Sequence, residues 1–289
     1  MGLRLKFNLV LALVFILGLV ASGFVSYNLL HENAREEVLR NAGVMMESAL
    51  SMRTYTVERV RPALRVSDEE FLPQSVPAFG ATQIMNLLRK KYPEYFYKEA
   101  TLNPTNPSDR AVEWETDIVN GFRNNEGMKE VTGVRMTPSG LALYLARPLQ
   151  IKDGACLVCH SVPAAAPASM VKAYGPNNGF GWKMNEIIGA QIVSVPMTLP
   201  VRNANRAFIT FMLSLSAVFA ITFIVLNIML SMLIVQPIQA MSEAADRIST
   251  GDMELTDLPA KGKDEVASLA KSINRMRRSL EKAIKLIGE

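Results

Sequence analysis

The chain has 289 residues, a formal net charge of +4 and 49% hydrophobic residues, with a mean hydropathy of +0.15. That length allows one to three domains, and the apolar content is high for a wholly soluble protein, so membrane segments are expected. The charge is too mild to argue for a nucleic-acid partner.

Met1 to Lys6 carries Arg4 and Lys6, and an uncharged run then extends from Phe7 to Leu30. About 24 helical residues reach roughly 36 Å, enough for a bilayer core. Small residues at Val20-Ala21-Ser22-Gly23 raise a competing reading, a cleaved signal peptide. The apolar stretch continues well past them, so residues 7–30 are read as an uncleaved transmembrane helix with residues 1–6 in the cytoplasm. Residues 31–62 are expected to form one membrane-proximal signalling helix. Val38, Ala42, Met45, Ala49, Met52 and Thr56 recur at spacings of four and three, beside a second stripe of Leu39, Gly43, Met46, Leu50, Arg53 and Val57. Pro62 is expected to end the helix.

Residues 63–206 break into short segments rich in Pro, Gly and Asn, the pattern of an α+β domain with a small sheet. Helices are predicted at Ala81 to Lys91 and Ala111 to Arg123, with a loop at Asn103-Pro104-Thr105-Asn106-Pro107. Val131 to Met136 and Leu141 to Pro148 read as a hairpin joined at Pro138-Ser139-Gly140. Ala164 to Ala168 and Tyr174 to Gly179 read as loops, and Ile187 to Val195 as a final strand.

Between the hairpin and that strand stands Cys156-Leu157-Val158-Cys159-His160. Cys-x-x-Cys-His is the attachment signature of c-type haem. Its thiols add to the porphyrin vinyl groups, and the histidine lies where its imidazole can ligate the iron. A zinc site would want two more ligands, and the other histidine of the two in the chain, His31, is far away in sequence. A short redox disulfide would leave the following histidine unexplained. Haem c is therefore the expected cofactor, attached through Cys156 and Cys159 with His160 as axial iron ligand. Once both thioethers form, no thiol remains for a structural disulfide.

Met or His is usual as a second axial ligand. His31 lies at the membrane surface, about 20 Å below the midpoint of the helix, and fits poorly. Met45, Met46 and Met52 lie on the helix that should pack on the domain, where a Met also serves as core filler. Met46 is the first candidate, because Gly43 on its stripe lets a flat macrocycle approach the backbone and Arg53, two turns on, can pair with a propionate. Met52 is the second candidate, and an open position ready for a gas is the alternative.

Ala207 to Val235 is a second charge-free run long enough to span a bilayer. Two spans return the chain to its starting side, so residues 63–206 are expected in the periplasm of a bacterial inner membrane, the compartment of haem attachment. Residues 236–289 are charged and helical. Pro237 opens a helix ending near Gly251, followed by a linker with Leu255, Leu258 and Pro259 and a second helix from Asp264-Glu265. Val266, Leu269, Ile273, Met276, Leu280 and Ala283 keep the three-four spacing of a coiled-coil seam, as do Ile238, Met241, Ala245 and Ile248. Two such helices with a short connector directly after a span indicate a HAMP linker, a parallel four-helix bundle made by two chains.

Pro237, Gly251-Asp252 and Asp264-Glu265-Val266 resemble the HAMP family. The middle segment resembles a bacterial haem-sensor family at Arg53-Thr54-Tyr55-Thr56, Val60-Arg61-Pro62, Trp114-Glu115, Phe122-Arg123-Asn124, Cys156 to His160 and Gly179-Phe180-Gly181-Trp182-Lys183. Together the resemblances span roughly residues 34 to 285 and imply a PAS-like sensor domain between two membrane helices. HAMP linkers normally pass a signal to a kinase, a cyclase or a chemoreceptor tip. Here only a few residues follow the seam, no His follows His160, and no Gly-rich nucleotide motif appears. The output is expected on a separate polypeptide. The expected function is a homodimeric, non-enzymatic transducer of redox state or a small gas; the alternative is a membrane-tethered electron carrier.

Overall fold

The computed structural model describes residues 2–64, 71–252, 254–260 and 262–287. In chain order the helices and strands are α1 (Leu3–Tyr55), α2 (Arg61–Leu64), α3 (Pro77–Lys91), β1 (Phe96–Thr101), α4 (Glu113–Asn124), β2 (Val131–Thr137) and β3 (Gly140–Gln150). They are followed by α5 (Ala155–His160), α6 (Ala168–Tyr174), β4 (Ile187–Pro196), α7 (Thr198–Leu230), α8 (Gln236–Ser249) and α9 (Glu265–Ile287). The chain divides into two compact units, Asn28–Ala207 and the pair of segments Met1–Tyr27 and Phe208–Glu289.

The unit from Asn28 to Ala207 is built on a four-stranded sheet of order β1-β4-β3-β2, antiparallel throughout. Side chains alternate across a strand, so each face collects its own core. On one face Tyr97, Leu143, Leu145, Val193 and Val195 pack with Val38, Ala42, Met46 and Ala49 of α1 and with Ala81 and Met85 of α3. On the other, Ala100, Ala146, Ala190 and Ile192 pack with Val119 and Phe122 of α4. Central β4 is buried on both faces, which is why Ile187 to Val195 reads as a nearly continuous apolar run. Its Gly189 is where β1 closes in: a Cβ there would stand 2.3 Å from the Ala100 carbonyl oxygen.

Of the two stripes on this helix, the first faces the sheet, with Val38, Ala42, Met45 and Ala49 buried; from the second, Met46 is buried with them, while Leu39 and Val57 are exposed. Two ion pairs tie this part of α1 down. Arg147 on β3 donates to Glu47 at 2.6 Å, and Arg53 donates to Glu99 on β1. Pro62 does not end the helix. α1 passes through a π turn, Thr56–Val60, in which the Arg61 N–H bonds the Thr56 carbonyl, and continues as α2. The Pro62 ring would crowd the carbonyl four residues back, and the wider turn relieves that clash. The same device precedes Pro237: a π turn at Ser231–Val235, closed by the Gln236 N–H on the Ser231 carbonyl, joins α7 to α8.

The hairpin, the predicted helices and the last strand are present, with ends shifted by up to a few residues. Strand β1 and helix α6 have no counterpart among the sequence expectations. In β1 the adjacent Lys98 and Glu99 break any apolar alternation, yet both are paired. Lys98 Nζ donates to Glu115 of α4 at 2.7 Å, and Glu99 accepts from Arg53 and, at 2.8 Å, from Tyr97 Oη.

In the second unit, α1 and α7 carry stretches long and apolar enough to cross a membrane, almost wholly unburied. They pack through aromatic rings: Phe15 stacks on Phe219 at 4.8 Å and Tyr27 meets Phe208 edge-on at 5.6 Å. Beyond them, Met241 and Ile248 of α8 and Ala267, Ala270 and Asn274 of α9 are buried. The seam residues Leu269, Met276 and Leu280 remain 49%, 45% and 40% exposed. Asn274 binds the connector through both backbone groups of one residue: its amide donates to the Leu258 carbonyl and accepts from the Leu258 N–H, each at 2.9 Å. Asn274→Ala leaves both backbone groups unpaired, at a cost of about 1–3 kcal/mol. Hydrogen exchange should therefore show the Leu258 amide losing protection while amides in β3 and β4 keep theirs.

Candidate functional site

The connection from β3 to β4, residues 151–186, is a long excursion fastened at its neck. Ile151 N–H donates to the Glu186 carbonyl at 2.9 Å and Asn185 N–H to the Ile151 carbonyl at 2.8 Å. Within it α5 is a short helix begun by Asp153, whose carboxylate accepts from the Ala155 N–H at 2.9 Å. Residues three and four apart share a helix face, so Cys156, Cys159 and His160 project to one side. Farther along, Gly181 N–H returns to the Ser161 carbonyl at 2.8 Å and Trp182 N–H to the His160 carbonyl at 3.2 Å. The end of α5 and the Gly179-Phe180-Gly181-Trp182 stretch are thus one folded piece.

The His160 ring is held on three sides. Its Nδ1 lies 2.7 Å from the Gly179 carbonyl oxygen and 3.4 Å from Thr105 Oγ1. Its plane stacks on Trp182 at 3.9 Å and 15°. Only glycine fits at 179: its φ is +82°, and a Cβ would stand 2.0 Å from Thr105 Oγ1 and 2.8 Å from the Thr105 backbone. Asn103 fixes the same loop, donating to the Phe180 carbonyl and accepting from the Gly179 N–H, both at 3.1 Å. Burial pushes the His160 pKa below its ordinary value, against the opposing hydrogen bond to Gly179. Burial thus favours the neutral ring, and a carbonyl oxygen at Nδ1 calls for the proton there, leaving Nε2 as the lone pair of that tautomer. That is the state in which a histidine ligates a metal, with its second nitrogen fixed by a carbonyl.

Burial and Asp153 push the Cys156 thiol above its usual pKa, while Arg53 and Arg61 pull it down. Arg53 is thus an electrostatic neighbour of the motif, as well as the partner of Glu99. Burial disfavours its charge, but Glu99 outweighs that and raises its pKa. Met46 is fully enclosed in the core layer between α1, α3 and the sheet. Met52, adjacent to Arg53, is half-buried, and its methyl group lies 3.2 Å from where a Cβ on Gly80 would stand. Trp182 Nε1 is shut off from water and has no hydrogen-bond partner. Two thiols and an imidazole on one face, beside an indole N–H that lacks an acceptor, fit the donor set of a c-type haem: the thiols would hold the vinyl groups, Nε2 would hold the iron, and the macrocycle would bring acceptors of its own.

A family model described as Tll0287-like matches residues 31–196, more than half of the chain. The chain belongs to the Tll0287-like family. The Tll0287-like region runs from the middle of α1 to the end of β4 and holds Met46, Met52, Arg53, Cys156, Cys159 and His160. A HAMP domain matches residues 229–282, so the chain couples a Tll0287-like region to a HAMP domain across its second apolar helix. Among solved structures, the cyanobacterial heme-protein Tll0287 aligns with 55% of this chain and 95% of its own, at 16% identity and a TM-score of 0.44. No curated protein matches the chain.

Several residues that shape the Tll0287-like site are not individually legible in the sequence. Asn103 and Thr105 stand in a stretch that reads only as a loop, and Gly179 acts through its carbonyl. Asp109, in the same loop as Thr105, is pushed up to about 6 by burial, with Glu99 adding to the shift and Lys98 and Ser108 opposing it. A carboxyl whose folded pKa is raised favours the fold below its ordinary value near 3.8 and loses that contribution as pH rises through about 6. Asp109→Asn should accordingly raise the melting temperature of the domain at pH 7.5, with the gain vanishing near pH 4.

Proposed function

We propose that this chain is a transmembrane signal transducer whose extracytoplasmic domain carries a c-type haem and whose HAMP domain relays its state to cytoplasmic output machinery. In this reading residues 7–30 and 207–235 span a bacterial inner membrane. Residues 63–206 form a PAS-like periplasmic domain, and residues 1–6 and 236–289 lie in the cytoplasm. The observation that carries the reading is the placement of His160: its Nδ1 is engaged at 2.7 Å by the Gly179 carbonyl, which leaves Nε2 as the nitrogen for a ligand, on the same helix face as two cysteines.

Cys156 and Cys159 would attach the macrocycle, and His160 would hold the iron. Arg53 would share its charge between Glu99 and a propionate. The second axial ligand would come from α1: Met46 on the stripe pattern, or Met52, whose partial exposure beside Arg53 makes it the nearer candidate. When bound, the haem would supply one-electron chemistry and an iron that a small gas could ligate in place of the second protein ligand. The protein's part is mechanical. Met46, Met52 and Arg53 are all on α1, and α1 is pinned to the sheet through Glu47–Arg147 and Arg53–Glu99. A change in what these side chains hold is therefore felt along one helix. HAMP would turn that bias into one of two packings of a bundle shared by two chains, for which the exposed Leu269, Met276 and Leu280 provide the contact face. The architecture is that of a non-enzymatic transducer.

Chain made with a cytochrome c maturation system should keep its haem through denaturing electrophoresis and lose it in Cys156→Ala/Cys159→Ala; colour lost from the intact chain contradicts covalent attachment. Met52→Ala or Met46→Ala should convert a six-coordinate spectrum into a high-spin or gas-accessible one, and the variant that does so identifies the ligand. Reduction should also change crosslinking between cysteines introduced at Leu269 or Met276 of the two chains in membranes. Identical crosslinking in oxidised, reduced and gas-bound protein would make a membrane-tethered electron carrier the better reading.

A further inference from the structure

We propose that Trp182 is itself a haem-binding residue, whose indole N–H donates to a propionate carboxylate on the His160 side of the macrocycle. The assignment rests on the c-haem reading above. It starts from an unpaired donor: Trp182 Nε1 is out of contact with water and has no acceptor. A buried donor left unpaired is unfavourable, and native proteins rarely leave one without a partner.

The stack says where the partner must come from. The Trp182 and His160 rings are nearly parallel, 15° apart with centroids at 3.9 Å. The pairing is fixed by backbone, since Trp182 N–H bonds the His160 carbonyl at 3.2 Å. An axial imidazole stands edge-on to the macrocycle it ligates, so an indole stacked on it also meets the macrocycle with its edge. The indole N–H lies on that rim. The four porphyrin nitrogens are committed to iron, and a gas or second axial ligand would occupy the opposite face. On the His160 side the bound group therefore offers a single class of external acceptor, its propionate carboxylates. A carboxylate is also the stronger acceptor, because charge assistance roughly doubles the worth of such a bond. Side chains around the indole rim have to give way to admit it, while the stack on His160 stays.

The test uses the full chain in which Trp114, the other of the two tryptophans, is replaced by Phe, so that every indole signal comes from Trp182. Ultraviolet resonance Raman reads the hydrogen-bonding state of the indole N–H directly. The haem-loaded chain should show a bonded indole, and the Cys156→Ala/Cys159→Ala chain a non-bonded one. In Trp182→Phe, which keeps a ring to stack on His160, the propionate bending mode in visible resonance Raman should shift while iron coordination stays as in the parent. An unbonded indole in the loaded chain, or the same indole state with and without haem, overturns the assignment and leaves the c-haem reading standing. A chain that carries no covalent haem after maturation overturns both. If Trp182→Phe does not fold, the indole measurement, which leaves residue 182 unchanged, decides alone.

Discussion

Glu99 is a carboxylate taken almost entirely out of water, its side chain 5% exposed, and its charge is tenable there only because Arg53 and Tyr97 reach it. Burial and then Glu99 push the Tyr97 phenol well above its usual pKa, so it stays protonated and donates. Losing either partner of a buried ion pair typically costs about 3–5 kcal/mol, because a charge is left uncompensated. The pair therefore fixes more than one contact. Arg53 must face the sheet, which sets the rotation of α1 about its axis and seats Val38, Ala42, Met46 and Ala49 in the core. On the opposite face Lys98 and Glu115 do for α4 what Glu99 and Arg53 do for α1. One short strand, placed by its charges, orders the helices on both faces.

The scaffold so ordered is rigid where it needs to be, and the candidate chemistry hangs from it on loops. The β3–β4 pair is a ladder of long strands, and its connection can wander over 151–186 because the neck at Ile151 and Glu186 is fastened. A second loop, from Asn103 to Arg110, braces the first: Asn103 holds Gly179 and Phe180, and Arg110 donates to Asn178 at 3.0 Å. Binding groups concentrate on such loops because their backbone is free to aim carbonyls and side chains. At His160 that freedom aims the Gly179 carbonyl at the ring Nδ1.

The unit with the two long apolar helices follows a different rule. Its apolar helices bury little of themselves within one chain, as expected for surfaces solvated by lipid. Past the second apolar helix, the small residues Ala267 and Ala270 let α9 approach α8, while Leu269, Met276 and Leu280 are left at the surface. α9 thus carries two faces one residue apart, Ala267, Ala270 and Asn274 buried within the chain and Leu269, Met276 and Leu280 left at its surface.

Features encoded in local spacing are legible in the sequence. The Cys-x-x-Cys-His signature, the two charge-free runs, the heptads and the apolar strand Ile187 to Val195 depend on neighbours a few residues apart, so composition and period suffice to find them. The tertiary structure decided what depends on distant partners. Lys98 and Glu99 mark β1 as polar until Glu115 and Arg53, the latter 46 residues away, neutralise them. Pro62 marks a helix end until a π turn makes room for its ring. Asn274 is an ordinary polar residue until the connector closes on it, and Trp182 an ordinary aromatic until its loop lays it on His160. Burying a charge or an N–H is favourable or prohibitive according to what stands opposite, and only the folded chain determines that.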